Sequence, residues 1–179
     1  MKTDGLQLPA RLVSLVEARI WPRTARDTLC QHDQPRVSKD RVHSISAHDD
    51  QIWLFSYDAL CSLAREIEGY EAYYRRESLP ARVSFWRTRG DLEKINPELA
   101  ISIGDFGLGS DSPIVLEYRT SLAEPAVLRL AWAGDSIEHT PAGHVQHRSR
   151  TSWTVCAATF DEFVERTGLA AAAPLRPLA

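Results

Sequence analysis

Three histidines, His139, His144 and His147, fall in a His-x4-His-x2-His spacing within a polar stretch. Three imidazoles can hold zinc and leave a fourth position open for water, as a hydrolytic centre requires. No glutamate stands between them to act as a base, and nothing nearby fixes their geometry. The stretch therefore reads as a solvated loop, with the metal site as its minor reading and no metal or other cofactor expected. Asp105 and Asp111 bracket a glycine-rich segment and offer oxygens to a hard cation, but without the regular acid spacing of a calcium loop. Asp105-Phe106-Gly107 spells a kinase motif, yet no His-Arg-Asp loop or upstream lysine strand accompanies it. The same glycines lack the Gly-Lys-Ser/Thr ending of a phosphate loop, and the two aspartates repel phosphate. Cys156 lies between Val155 and Ala157 in a strand-like run, where a thiol is buried and inert. No Gly-x-Ser-x-Gly elbow occurs. No residue is assigned a catalytic role, and the chain is expected not to be an enzyme.

The elements that position these residues centre on 100–118. Ile101 and Ile103 alternate with Ser102, and Ile114-Val115-Leu116 is a short apolar run. Between them a loop with Gly104, Gly107 and Gly109 permits positive φ without a Cβ clash. Pro113 cannot donate to a ladder and suits the first residue of a strand. A hairpin at the centre of a sheet follows. Upstream, Pro9 at a first helical position opens a helix over 8–20 with Leu12, Val16 and Ile20 on one face. Thr24 caps a second, short helix with Asp27 near its positive end. Residues 38–45 form another turn or two, 46–50 a surface turn, and 51–55 a strand. The longest helical period covers 58–76, with Tyr70, Tyr73 and Tyr74 widening its stripe; a strand over 82–86 and a short helix over 90–95 follow.

Beyond the hairpin, 126–132 reads as a strand, 134–151 as the least ordered part, and 152–157 as the last strand. Thr159 with Glu162 three residues on is a capping box, Phe160, Phe163 and Val164 form an apolar face, and Gly168 sits where a C-cap glycine belongs. Residues 170–179, rich in alanine and proline, are expected to fray.

The formal net charge is -3, which disfavours nucleic acid as a partner. The charge is uneven: residues 91–138 hold nine acids and three bases, whereas 1–90 hold fourteen bases and twelve acids. An acidic sheet region can dock a basic protein. Cys30, Cys61 and Cys156 are scattered, no apolar run approaches the ~20 residues of a membrane span, and Lys2 has no apolar segment behind it. A cytoplasmic, single-domain protein without membrane contact is expected, its oligomeric state unspecified.

The run from Glu98 through the glycine-rich turn to Ile114, the strand from Val127 to Trp132, Trp153, and the helix opening Ala158-Thr159-Phe160-Asp161-Glu162-Phe163 together resemble the SUKH superfamily. They are most similar to the branch named for a fungal regulator of cell-wall assembly. The match is best over 91–169, and the Leu8-Pro9 helix extends it towards the N-terminus, giving a domain over 1–169. The chain departs from the family pattern at Arg19-Ile20-Trp21-Pro22, where an Asn-Gly-Gly-like turn is usual, and 23–89 have no counterpart. The resemblance implies an α+β fold, a twisted and largely antiparallel sheet packed with helices. It also implies a non-catalytic binding protein of the immunity type that occludes a cognate toxin, often a nuclease. A housekeeping scaffold that binds a cellular protein is the alternative. Glu98, Asp105, Asp111 and Glu117 are the expected acidic contacts for a basic toxin surface, with Trp132 and Trp153 as aromatic anchors.

Overall fold

The structure is a computed structural model and describes residues 2–3, 6–61, 95–106, 112–139 and 145–176. A small ladder, β1 (Lys2–Thr3) with β2 (Leu6–Gln7), precedes three helices: α1 (Ala10–Glu17), α2 (Ala25–Leu29) and α3 (Lys39–Ile45). The main sheet follows as β3 (Ile52–Leu54), β4 (Ala100–Phe106), β5 (Pro113–Glu117), β6 (Ala126–His139) and β7 (Val145–Ala157), and α4 (Phe160–Thr167) comes last. The five strands pair antiparallel in sequence order, β3-β4-β5-β6-β7. The chain is a single α+β domain, as the sequence predicts.

Local chemistry sets where the helices begin and end. Asp27 N–H donates to Thr24 Oγ1 at 3.3 Å and Thr24 N–H to Asp27 Oδ2 at 3.0 Å, a reciprocal cap that starts α2. The expected helix over 8–20 stops at Glu17, because Arg19 turns left-handed (φ 58°) and the N–H groups of Ile20 and Trp21 both fold back onto Leu15 O. α4 begins as expected, with Glu162 N–H donating to Thr159 Oγ1 at 3.1 Å. Its returning carboxylate reaches Ala158 N–H at 2.7 Å. Gly168, at φ 72°, ends it.

Cross-strand register explains the core. Ile101, Leu116, Val127 and Ala157 oppose one another in a single row across four strands, and all are buried. α4 contacts β6, β7, α1 and α3, burying Phe160, Phe163 and Val164. Burial of such a side chain contributes about 1.5–3 kcal/mol. Phe160 also lies 6.0 Å from the ring of Trp21, whose Nε1 donates to Phe55 O at 2.9 Å. Tyr118 OH donates to Gln7 O at 2.8 Å and fastens the N-terminal ladder to the end of β5.

Three expectations need correction. Gly104 is not a loop residue: it lies inside β4 beside a bulge, and a Cβ there would stand 2.5 Å from Trp53 O. The neighbouring strand comes so close that only glycine fits. Within the polar stretch expected to be least ordered, residues 134–139 and 145–151 are ladder, with β6 running to His139 and β7 starting at Val145. The tail does not fray up to 176, since Leu175 is buried and its N–H donates to Arg19 O at 2.8 Å. The expected tyrosine-bearing helix beyond Cys61, the strand over 82–86 and residues 90–94 of the short helix lie outside the described residues, as do Gly107, Gly109 and Asp111.

Candidate functional site

The central hairpin closes on its own backbone. Ser112 N–H donates to Asp105 Oδ1 at 3.2 Å, and Phe106 N–H to Ser112 O at 3.2 Å. Asp105 is half-buried and opposes Pro113, which is the first residue of β5 as its missing N–H predicts. Its carboxylate thus shapes the turn. Glu117, expected at a partner surface, is instead buried at 2% exposure, and its Oε1 lies 3.6 Å from Arg119 Nε. It sits in β5 between Ala100 and Ala126, small neighbours that let the strands close over it. Trp153, expected as an anchor, is 1% exposed and opposes Leu130. Both are corrected to interior positions: β5 is buried along its whole length, so alternation cannot bring Glu117 outward, and in β7 it is the neighbouring Thr154 that faces solvent while Trp153 faces the core. Glu98 is exposed, on a single 3₁₀ turn started by Asn96, whose Oδ1 accepts from Glu98 N–H at 3.0 Å. Trp132 pairs with Thr151 in the β6–β7 ladder.

The same ladder sets His139 against Val145 and His147 against Ile137, while His144 lies outside the described residues. Among the described residues no three His, Cys, Asp or Glu side chains gather as metal ligands. Burial pushes the Cys156 thiol up to about 11, with Arg129 and Arg166 pulling weakly the other way, so little thiolate forms at neutral pH. Tyr57, on the helical turn 57–61, is pushed up to about 12, first by its hydrogen bond with Cys61 and then by desolvation.

Two features were not anticipated from the sequence. Arg129 leaves β6 towards the turn after α3, where its Nη1 donates to Ser46 Oγ at 2.8 Å and lies 3.5 Å from Asp49 Oδ2. Its guanidinium also sits 5.2 Å above the ring of Phe106. Ser46 in turn donates to Asp49. This cluster ties a helix turn to the sheet. The signal for it was a lone arginine within an apolar strand.

The second feature is a cleft of about 500 Å³ where the starts of α1 and α4 meet the β5–β6 connection. Pro9, Pro125 and Phe160 line it alongside Arg11, Glu124 and Asp161. Ser14 Oγ, also on the wall, donates to Ala10 O at 3.1 Å and is engaged within its own helix. Beside the cleft, Leu122 is 66% exposed, an apolar side chain presented to solvent next to Ala123 and Glu124. The arrangement suits contact with another surface, combining mixed polar and apolar walls, an exposed leucine and charged side chains.

No family model, no curated protein and no solved structure matches the chain.

Proposed function

We propose that the protein is a non-catalytic binding module of the SUKH immunity type, acting in the cytoplasm and neutralising a basic toxin domain by direct occlusion. The observation that carries this reading is the presence, in one α+β domain, of the central hairpin and the Thr159-capped aromatic helix that form the resemblance. With Glu117 and Trp153 enclosed, the contact surface is drawn around the exposed side chains that remain: Glu98, and Glu124 and Leu122 beside the cleft. Leu122 supplies the apolar anchor, and the carboxylates steer a basic partner and raise its association rate.

The test takes the toxin-like domain encoded beside this gene and measures its binding to the purified chain by calorimetry. Tight 1:1 binding is expected, with Leu122→Asp weakening it at least tenfold and Glu124→Lys slowing association in a salt-dependent way. A neighbourhood with no secreted toxin, or a neighbouring toxin that ignores the purified chain, overturns the reading.

A further inference from the structure

β3 stands at one edge of the sheet, three residues long, with β4 as its one neighbouring strand among the described residues. Phe55 N–H, just past its end, donates to Ile103 O at 2.9 Å on the β4 side. Main-chain groups alternate in direction along a strand, so Leu54 turns its N–H and C=O away from β4, towards the open side. Leu54 is fully buried, and buried main-chain groups require partners.

One side chain supplies both. Gln31, on the 3₁₀ turn Cys30–His32 that follows α2, is itself fully buried. Its Oε1 accepts from Leu54 N–H at 3.1 Å, and its Nε2 donates to Leu54 O at 2.9 Å. Nε2 also donates to Thr28 O at 3.3 Å. The reversed amide would set donor against donor at Leu54 N–H, so the bonding fixes its orientation. A single amide thus makes the acceptor-and-donor pair that a residue of an antiparallel strand offers its neighbour. A second amide backs it: Gln51 Nε2 donates to Gln31 O at 3.2 Å, joining the turn to the residue before β3.

Three residues on, the same pairing recurs nearer the surface. Gln34 Oε1 accepts from Arg176 N–H at 2.9 Å, and Gln34 Nε2 donates to Arg176 O at 3.2 Å. Gln34 is partly exposed, whereas Gln31 is not. The two glutamines pair with main chain of different segments, one at the edge of the sheet and one near the C-terminus.

We propose that Gln31 is a surrogate strand residue: its amide takes the place beside Leu54 that an added strand would need, and it latches the turn after α2 onto β3. An apolar side chain of similar length fills the same space but leaves two buried main-chain groups bare. A carboxylate accepts from Leu54 N–H but turns negative oxygens onto Leu54 O and Thr28 O. A neutral carboxylic acid restores both bonds to Leu54, since it carries an O–H donor beside a C=O acceptor. At Gln34 water replaces a lost partner, so the same changes matter little there.

The experiment is amide exchange of the full chain by NMR, with Leu54 N–H as the reporter and Leu116 N–H, in the interior strand β5, as the measure of global opening. Gln31→Met is expected to lower protection of Leu54 by at least tenfold more than it lowers that of Leu116. Gln34→Met is expected to change either by less than about threefold. Gln31→Glu adds a readout that packing alone does not move. Burial and pairing favour its neutral form and raise its folded pKa above the ordinary carboxyl value. The stability it contributes is therefore present below that ordinary value and lost as pH rises through the raised one. Its denaturation midpoint is expected to lie close to that of the unaltered chain at about pH 4.5 and well below it at about pH 8. Unchanged Leu54 protection in Gln31→Met, or an equal loss at Leu54 and Leu116, makes Gln31 a filler of the core and overturns the proposal. A gap between Gln31→Glu and the unaltered chain that does not vary with pH overturns it as well, whether or not Gln31→Met folds.

Discussion

In the β4–β5 hairpin every residue of β5 from Pro113 to Glu117 is buried, and the ladder carries Ile101 against Leu116 and Ser102 against Val115. The outer part of β6–β7 is a ribbon of another kind, setting Asp135, Ser136 and Glu138 against Ser149, Arg148 and Gln146. One hairpin is held by side chains removed from water on both faces. In the other, what the ladder shows is a long run of paired backbone groups with a mostly polar sequence. The two share one sheet and one antiparallel topology, so pairing alone does not tell where stability resides. Burial does.

Truncation separates the two most strongly. Leu116→Ala removes a fully buried side chain from the middle strand and is expected to cost about 2–5 kcal/mol in urea unfolding. Gly104→Ala tests the close approach beside the bulge. A methyl group 2.5 Å from Trp53 O forces the β3–β4 pair apart, with an expected loss of about 1–3 kcal/mol and faster amide exchange in β3. An outcome near zero would mean that the two strands slide without penalty.

The third prediction concerns pH. Below the ordinary thiol value of 9.0, Cys156 keeps its proton in both the folded and unfolded states; between 9.0 and about 11 the unfolded chain releases it and the folded chain does not. Stability present below pH 9 is therefore lost as pH rises through this window, by about 3 kcal/mol at most. Burial of Tyr118 acts in the same direction at higher pH. Denaturant midpoints compared at pH 8 and pH 10.5 should fall with alkalinity, and the fall should be smaller in Cys156→Ala. The smallest effect belongs to the β6–β7 hairpin: Val155→Thr, at a side chain 67% exposed on β7, is expected to change stability by no more than about 0.5 kcal/mol. A loss above about 2 kcal/mol there would erase the contrast between the two hairpins.

What was legible in the sequence follows the same division. Ile101, Ile103 and Ile114-Val115-Leu116 announced their strands because apolar residues must be hidden. Thr159, Glu162 and Gly168 announced a helix because its ends need capping groups. Residues 134–139 and 145–151 read as loop in the sequence because a polar ladder leaves no apolar period to detect. Glu117 is expected outward because a charged side chain normally is solvated, and Trp153 because an exposed aromatic can anchor a partner. Only the packing of residues far away in the chain, over both faces of β5 and over the inner face of β7, puts them inside. The cleft, the Arg129 cluster and the seating of Leu175 share that origin: each joins residues separated by dozens of positions, and no spacing rule records such meetings.

Ala133 and Cys156 are the residues skipped at two places where the β6–β7 register slips, next to Trp132 and next to Val127. Among the described residues β7 is one of the two edge strands of the sheet, and Val155 on it is 67% exposed. A straight rim of that length would template the growth of fibrils by recruiting further chains edge to edge. Each slip adds a residue on one side and bends the ribbon, so an incoming flat strand loses alignment after a few bonds. The irregularities that interrupt the pairing inside the molecule thereby keep neighbouring molecules from continuing it.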